Sequence, residues 1–299
     1  MGTRRGPAYG PTAWDPSQPD RGAGARPRAG AAVAGEFDRR RLLGTGGLLS
    51  LGALLAACGG SSPPAAPTTG PSAAAPASSA APSTTPPSSA VDLLAGGSPC
   101  VLTAETIAGP TWFDAHAVRS DIRDGRPGVP LDVAFRVVRL PACTPVGQAV
   151  VDLWQCDALG VYSGFAGAEP GDGGSPGGRR DEYGDAQSAT TDGEAWLRGT
   201  QVTGPDGLVR FSTVYPGWYP TRTVHLHLKV HLAESTVLTT QLFFDDAVSD
   251  AVYGSADPYR QHAGRDTRNA GDAFYSDTGL LRLAPAPDGW LAALTLGVR

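Results

Sequence analysis

The chain has 299 residues, 41% of them hydrophobic, and a formal net charge of -5 at neutral pH. That length allows one large domain or two small ones. The acidic balance, with Lys229 as the only lysine, argues against the basic surface that nucleic acid requires, so no nucleic-acid partner is expected.

Composition changes along the chain. Residues 1–36 are rich in Gly, Pro, Arg and Ala without periodicity, and residues 59–90 are almost wholly Gly, Ser, Pro, Ala and Thr, so neither stretch can bury a core. Between them, Arg39-Arg40-Arg41-Leu42-Leu43 has the twin-arginine form and leads into a short apolar segment, 42–57. Interrupted by Gly44, Gly46, Gly47 and Gly52, that segment is marginal as a membrane span and reads as the apolar part of an export signal. Its end, Leu55-Ala56-Ala57-Cys58-Gly59, resembles the bacterial lipobox, which implies lipidation of Cys58. The expected organisation is a leader over 1–58, a disordered tether over 59–91 and a folded domain over 92–299. The expected location is outside the cell, reached by twin-arginine export, with the membrane touched only through the lipid anchor on its outer face. Of the remaining cysteines, Cys100, Cys143 and Cys156, an oxidising compartment permits one disulfide and leaves one thiol over. Their pairing stays open, and their spacing matches no zinc motif.

Within 92–299, residues 131–140 alternate in hydrophobicity and predict a strand, and 149–157 predict a second after the turn around Pro145 and Gly147. Residues 197–202 and 208–214 flank Gly204-Pro205-Asp206-Gly207, a hairpin signal. Further strands are expected over 224–232, 239–244 and 291–298, and a helical turn or two over 248–253. Residues 166–195, Gly- and Asp-rich and aperiodic, predict a long surface loop that covers the mouth of a site. Short strands joined by turn-rich connections, with few helices, predict an all-β domain, a sandwich or barrel of antiparallel sheets.

The run Val224-His225-Leu226-His227-Leu228-Lys229-Val230-His231-Leu232 alternates strictly. His225 and His227 therefore share one face of a strand with Cα atoms roughly 7 Å apart, close enough to converge on one metal ion. His231 shares their face but lies roughly 13 Å beyond His227, too far for the same ion. Pro216, Gly217 and Pro220 break regular structure just upstream and can turn Tyr219 or Tyr215 back towards the imidazoles. By itself such a pair on a half-exposed strand is more often solvated or hydrogen-bonded than metal-binding.

Several ordered motifs raise that reading. Thr106-Ile107-Ala108-Gly109-Pro110, Trp154-Gln155-Cys156-Asp157-Ala158-Leu159-Gly160-Val161-Tyr162-Ser163, the segment from Tyr215 to His227 and Gln241-Leu242-Phe243-Phe244 together resemble the intradiol ring-cleavage dioxygenases, in particular their secreted bacterial branch. The resemblance implies an antiparallel β-sandwich of that type and a non-haem Fe(III) held by Tyr162, Tyr219, His225 and His227. Tyr219 is favoured over Tyr215 because it stands three residues before Arg222, which stands three before His225. The implied reaction opens a catecholic ring between its two hydroxylated carbons with O2, giving a muconate-type diacid. Arg222 would stabilise negative charge on the ring, Gln241 would assist beside it, Tyr219 would take up a substrate proton, and Ile107 and Pro110 would line the ring pocket with Arg222. Family members commonly dimerise, so a homodimer is the expectation for partners. Gln155 and Ala108 depart from the family pattern, where His and Glu are common. Two other classes compete: a non-catalytic β-sandwich lipoprotein that binds carbohydrate or a protein partner, and a zinc hydrolase.

Overall fold

In the computed structural model, which describes residues 87–95 and 100–299, the alternating segments form strands and the Pro/Gly-rich segments turn between them. The expected leader, Cys58 and the tether up to residue 86 lie outside the described residues. In chain order the elements are helix α1 (Ala90–Ala95) and strands β1 (Pro130–Arg139), β2 (Thr144–Pro145), β3 (Val150–Trp154), β4 (Pro176–Arg180), β5 (Ala186–Ser188), β6 (Arg198–Val202), β7 (Leu208–Val214), β8 (His225–Leu232) and β9 (Ser235–Phe243). Helix α2 (Asp246–Ser255), three short 3-10 turns and strands β10 (Arg282–Ala286) and β11 (Gly289–Val298) complete them.

The strands form the expected sandwich. One sheet has the order β10-β11-β1-β2, with β7 also paired to β1, and the other runs β6-β3-β8-β9. The core lies between them. Leu131, Val133, Phe135 and Val137 of β1, with Phe211, Leu294 and Leu296, meet Val151, Leu153, Leu226, Leu228, Val230 and Leu242 from the facing sheet. At about 25 cal/mol per Å² of apolar surface, this contact is the main stabilising term of the fold. Of the two long sheets' ladders only β1 with β11 is parallel. The two strands are joined through most of the domain, so no hairpin dictates their direction.

Several expectations are corrected. The turn Gly204 to Gly207 is closed by a Gly207 N–H to Gly204 carbonyl bond of 2.9 Å, but it does not make a hairpin, because β6 pairs with β3 and β7 with β1. The Gly207 carbonyl accepts from Val137 N–H at 2.9 Å, so the chain is captured by β1 and changes sheet. Strand β10 has no period-2 signal because Pro285 interrupts it, and it lies at a sheet edge, where a missing N–H is tolerated. Helix α1 starts at Ala90, two residues ahead of the expected start of the folded part. Ser89 caps it, accepting from Asp92 N–H at 3.3 Å, and Leu93 and Leu94 pack on Ala134, Leu291 and Ala293. Helix α2 is longer than the expected turn because Asp245 accepts from the amides of Ala247 and Val248. The stretch 166–195 contains the small hairpin of β4 and β5. The disulfide joins Cys100 to Cys143, with Cα atoms 6.0 Å apart, and leaves Cys156 as a buried thiol. Among the described residues no helix is long and apolar enough to cross a membrane.

Candidate metal centre

Strand β8 is buried on both faces, not half-exposed. Every residue from His225 to His231 is buried. Its apolar residues enter the sandwich core, and His225, His227, Lys229 and His231 point away from it, beneath the connecting segments. Register sets their neighbours. Arg198, Trp154, His227 and Gln241 stand opposite one another across β6, β3, β8 and β9, so their side chains share one face. The Trp154 indole stacks on the His227 imidazole, centroids 4.8 Å apart and planes 12° apart, which fixes the ring's tilt.

Tyr162 reaches this face by a turn. After β3 the Asp157 carboxylate accepts from the amides of Leu159 and Val161 at 2.9 and 3.1 Å, folding residues 157–161 tightly. Gly160 has φ +89°, and a Cβ there would meet the Trp218 carbonyl oxygen at 2.4 Å. Arg198 then holds the next residue, its Nε donating to Ser163 Oγ and its Nη2 to the Ser163 carbonyl, both at 2.9 Å. Tyr219 arrives from the other side, at a one-residue bridge with Arg222. Behind its ring lies Gly171, φ +84°, where a Cβ would come within 2.3 Å of Tyr219 Cδ2. The Gly-rich loop thus packs beside the site, and glycine is what allows the approach.

Four donor atoms converge. Tyr162 Oη lies 2.9 Å from His227 Nε2, Tyr219 Oη 3.0 Å from His225 Nε2, the two Nε2 atoms 3.1 Å apart, and the two hydroxyls 3.4 Å apart. His225 Nδ1 lies 2.7 Å from the Thr223 carbonyl, which can only accept, so Nδ1 carries the proton and Nε2 offers a lone pair inwards. Tyr162 is buried, whereas Tyr219 as a whole residue is half-buried. Burial pushes the Tyr162 phenol well above its ordinary value and the Tyr219 phenol up to about 12. Burial, reinforced by Arg222, pulls the His225 imidazole down to about 3, and burial with the neighbouring His225 takes His227 well below its usual value. The protein alone therefore keeps all four groups neutral at pH 7. Among the described residues no group of three or more His, Cys, Asp or Glu could hold a metal. Here two of the four donors are phenols. Two neutral imidazoles with two ionisable phenols fit a hard, highly charged cation, whose field lowers the phenol pKa.

Arg222 and Gln241 meet beside the donors. Arg222 Nη2 donates to Gln241 Oε1, and Gln241 Nε2 donates to the Ile107 carbonyl at 3.0 Å. The segment 107–110 passes close by, since a Cβ on Gly109 would lie 4.0 Å from His227 Cε1. The side chains of Ile107 and Pro110 are exposed, Ile107 at 45%. Tyr215 lies elsewhere, in the core, with its hydroxyl 2.9 Å from Ser249 Oγ. Gln155 faces away from the histidines and bonds to Thr213 and the Val214 carbonyl. The sequence reading did not anticipate Trp154 stacking on His227, Gly171 behind Tyr219, or Asp272, whose Oδ2 accepts from Arg222 Nε at 2.9 Å and from Thr223 N–H at 2.8 Å. Strand register could have signalled Trp154; no local pattern marks Asp272.

The β-sandwich thus gathers two phenols and two imidazoles from one strand and two turns. The sequence model of the Dioxygenase family matches residues 107–262. An intradiol ring-cleavage dioxygenase from Tetranychus urticae is 30% identical over 67% of this chain and 95% of that chain, with a TM-score of 0.59. The dioxygenase domain of a dioxygenase carbohydrate-binding protein fusion from Streptomyces sp. SirexAA-E is 27% identical over 66% of this chain and 97% of that one, with a TM-score of 0.47. No protein with curated function matches the sequence. The chain belongs to the intradiol ring-cleavage dioxygenase family.

Proposed function

We propose that the chain is an Fe(III) dioxygenase that opens catechol-type diols between their two hydroxylated carbons with O2, yielding muconate-type diacids. The observation that carries this reading is the convergence of Tyr162 Oη, Tyr219 Oη, His225 Nε2 and His227 Nε2 at neighbour distances of 2.9 to 3.4 Å. Ferric iron held by these four donors would supply the electron-withdrawing centre that makes a bound diol reactive to O2. Two phenolates offset most of its charge. Tyr219, on the less buried residue of the two, is the proton acceptor for a diol hydroxyl, while the fully buried Tyr162 stays in place. Arg222 presents a fixed positive charge to a ring that gains electron density, an electrostatic contribution that depends on the guanidinium being held beforehand. Gln241 acts through Arg222 and the Ile107 carbonyl, and Ile107 and Pro110 form the rim of the ring pocket.

The Cys100–Cys143 disulfide agrees with an oxidising compartment, which supports export; the twin-arginine route and anchoring through Cys58 complete this proposal. The test is metal analysis and visible absorption of the purified protein, with O2 uptake on catechol, protocatechuate, hydroxyquinol and substituted catechols. Iron, a red-brown tyrosinate band, and uptake that Tyr219→Phe and His225→Ala abolish are expected. A colourless, iron-free protein would instead favour a binding module.

A further inference from the structure

Arg222 is gripped on three sides. Its Nε donates to Asp272 at 2.9 Å, its Nη2 donates to Gln241, and its guanidinium carbon lies 4.7 Å from the centroid of the Phe274 ring. With Nε and Nη2 so engaged, Nη1, which has no hydrogen-bond partner among the described residues, is the donor left for a bound anion. The Arg222 side chain is 14% exposed, whereas that of Asp272 is 0% exposed. A buried carboxylate is costly unless its charge is matched, and Arg222 is the cation that matches it. Both carboxylate oxygens are used: Oδ2 accepts from Arg222 Nε and Thr223 N–H, and Oδ1 accepts from Phe274 N–H at 2.8 Å.

Asp272 follows the 3-10 turn Asn269–Gly271, beyond the residues that the family model matches. Asn269 grips the same short stretch, accepting from Thr223 Oγ1 at 2.8 Å and donating to the Phe244 carbonyl at 2.8 Å. The C-terminal segment therefore holds the chain immediately before His225. A relay runs from the Asp272 carboxylate through the Arg222 guanidinium and the Gln241 amide to the Ile107 carbonyl. It joins four separate parts of the chain around one side of the candidate centre. An unpaired arginine side chain has several rotatable bonds and would sample solvent; this relay selects one position for it.

We propose that Asp272 is a positioning residue: by fixing Arg222 it sets the guanidinium where negative charge on a bound diol ring is stabilised. The role rests on the ring-cleavage reading above. The test uses the full-length, iron-loaded protein and its Asp272→Asn and Asp272→Ser forms, each also in an Arg222→Ala background. Iron content, tyrosinate absorption, kcat with catechol and the dissociation constant for 4-nitrocatechol, titrated by absorbance, are measured. Asp272→Asn is expected to keep its iron and its band, to lose about 10- to 100-fold in kcat, and to bind 4-nitrocatechol more weakly. Neither effect should add to that of Arg222→Ala, because the residue acts through Arg222. Asp272→Ser, which retains an acceptor for the Thr223 amide, should behave alike. Wild-type kcat in Asp272→Asn, an undiminished loss in the Arg222→Ala background, or loss of iron from both variants would overturn the role. If the wild type itself consumes no O2 with any of the catechols, the ring-cleavage reading fails, and the 4-nitrocatechol cycle still decides whether Asp272 acts through Arg222.

Discussion

His225 and His231 stand on the same face of β8, at opposite ends, and each is 1% exposed. Their surroundings differ. At the far end His231 Nε2 lies 2.8 Å from the Asp152 carboxylate, Nδ1 lies 2.8 Å from Thr236 Oγ1, and Tyr183 stacks on the ring at 3.8 Å. Lys229, beside it, pairs with Asp185, which also accepts from Thr236 Oγ1 at 2.7 Å. Both nitrogens of that ring are committed to neighbours that hold the sheet and the β4–β5 hairpin together. At the near end one nitrogen of His225 is tied to the Thr223 carbonyl, and the other faces a second imidazole and two phenols. The same residue type, equally buried, is a structural tie where carboxylates meet it and a candidate ligand where phenols do.

The strongest way to break this comparison is at the near end. Tyr162→Phe or His227→Ala should lower O2 uptake with catechol by more than ~100-fold, since even outer partners of a metal site are worth about 10- to 100-fold. Iron content should fall with it. Unaltered iron and turnover would make the two ends alike. At the far end, His231→Leu removes one hydrogen-bond partner of the buried Asp152 carboxylate, which keeps its bond from Thr200 Oγ1, and should cost about 3 kcal/mol in urea unfolding, with the iron-to-protein ratio unchanged. A variant that lost its iron while staying folded would tie His231 to the centre.

Proton linkage sharpens the contrast by a graded effect. The His225 imidazole falls to about 3 in the folded protein against an ordinary 6.5, so between those values the unfolded chain binds more protons. Stability of the metal-free protein should therefore decline as pH falls from 6.5 towards 3, and His225→Gln should flatten that dependence. An equally steep curve in the variant would place the linkage elsewhere. The smallest effect is expected for Tyr215→Phe, which removes a hydroxyl bond to Ser249 in the core. It should cost about 1 kcal/mol and leave the tyrosinate band intact, whereas Tyr219→Phe should weaken or remove the band.

Much of the sandwich was legible because alternation is a local property. The strands over Pro130–Arg139, Leu208–Val214 and His225–Leu232 begin and end within a residue of where alternation places them. Breaks in alternation misled: Pro285 hides β10, and Gly204 to Gly207 looks like a hairpin turn because turn chemistry does not say which sheet receives the next strand. For the candidate site, ordered motifs named Tyr162, Tyr219, His225, His227, Arg222 and Gln241, and all six lie together.

By itself the sequence determined the residue types, the alternation that sends leucines and valines of β8 inwards and its histidines outwards, and the glycines and prolines at which the chain must turn. Tertiary structure alone decided that Cys100 meets Cys143, that β7 leaves the sheet of β6 for β1, that Trp154 lies on His227, and that Asp272 reaches Arg222 across a separation of 50 residues. Periodicity and turn preference act over a few neighbouring residues, whereas these pairings arise from burying two sheets against each other, a condition the whole chain satisfies at once.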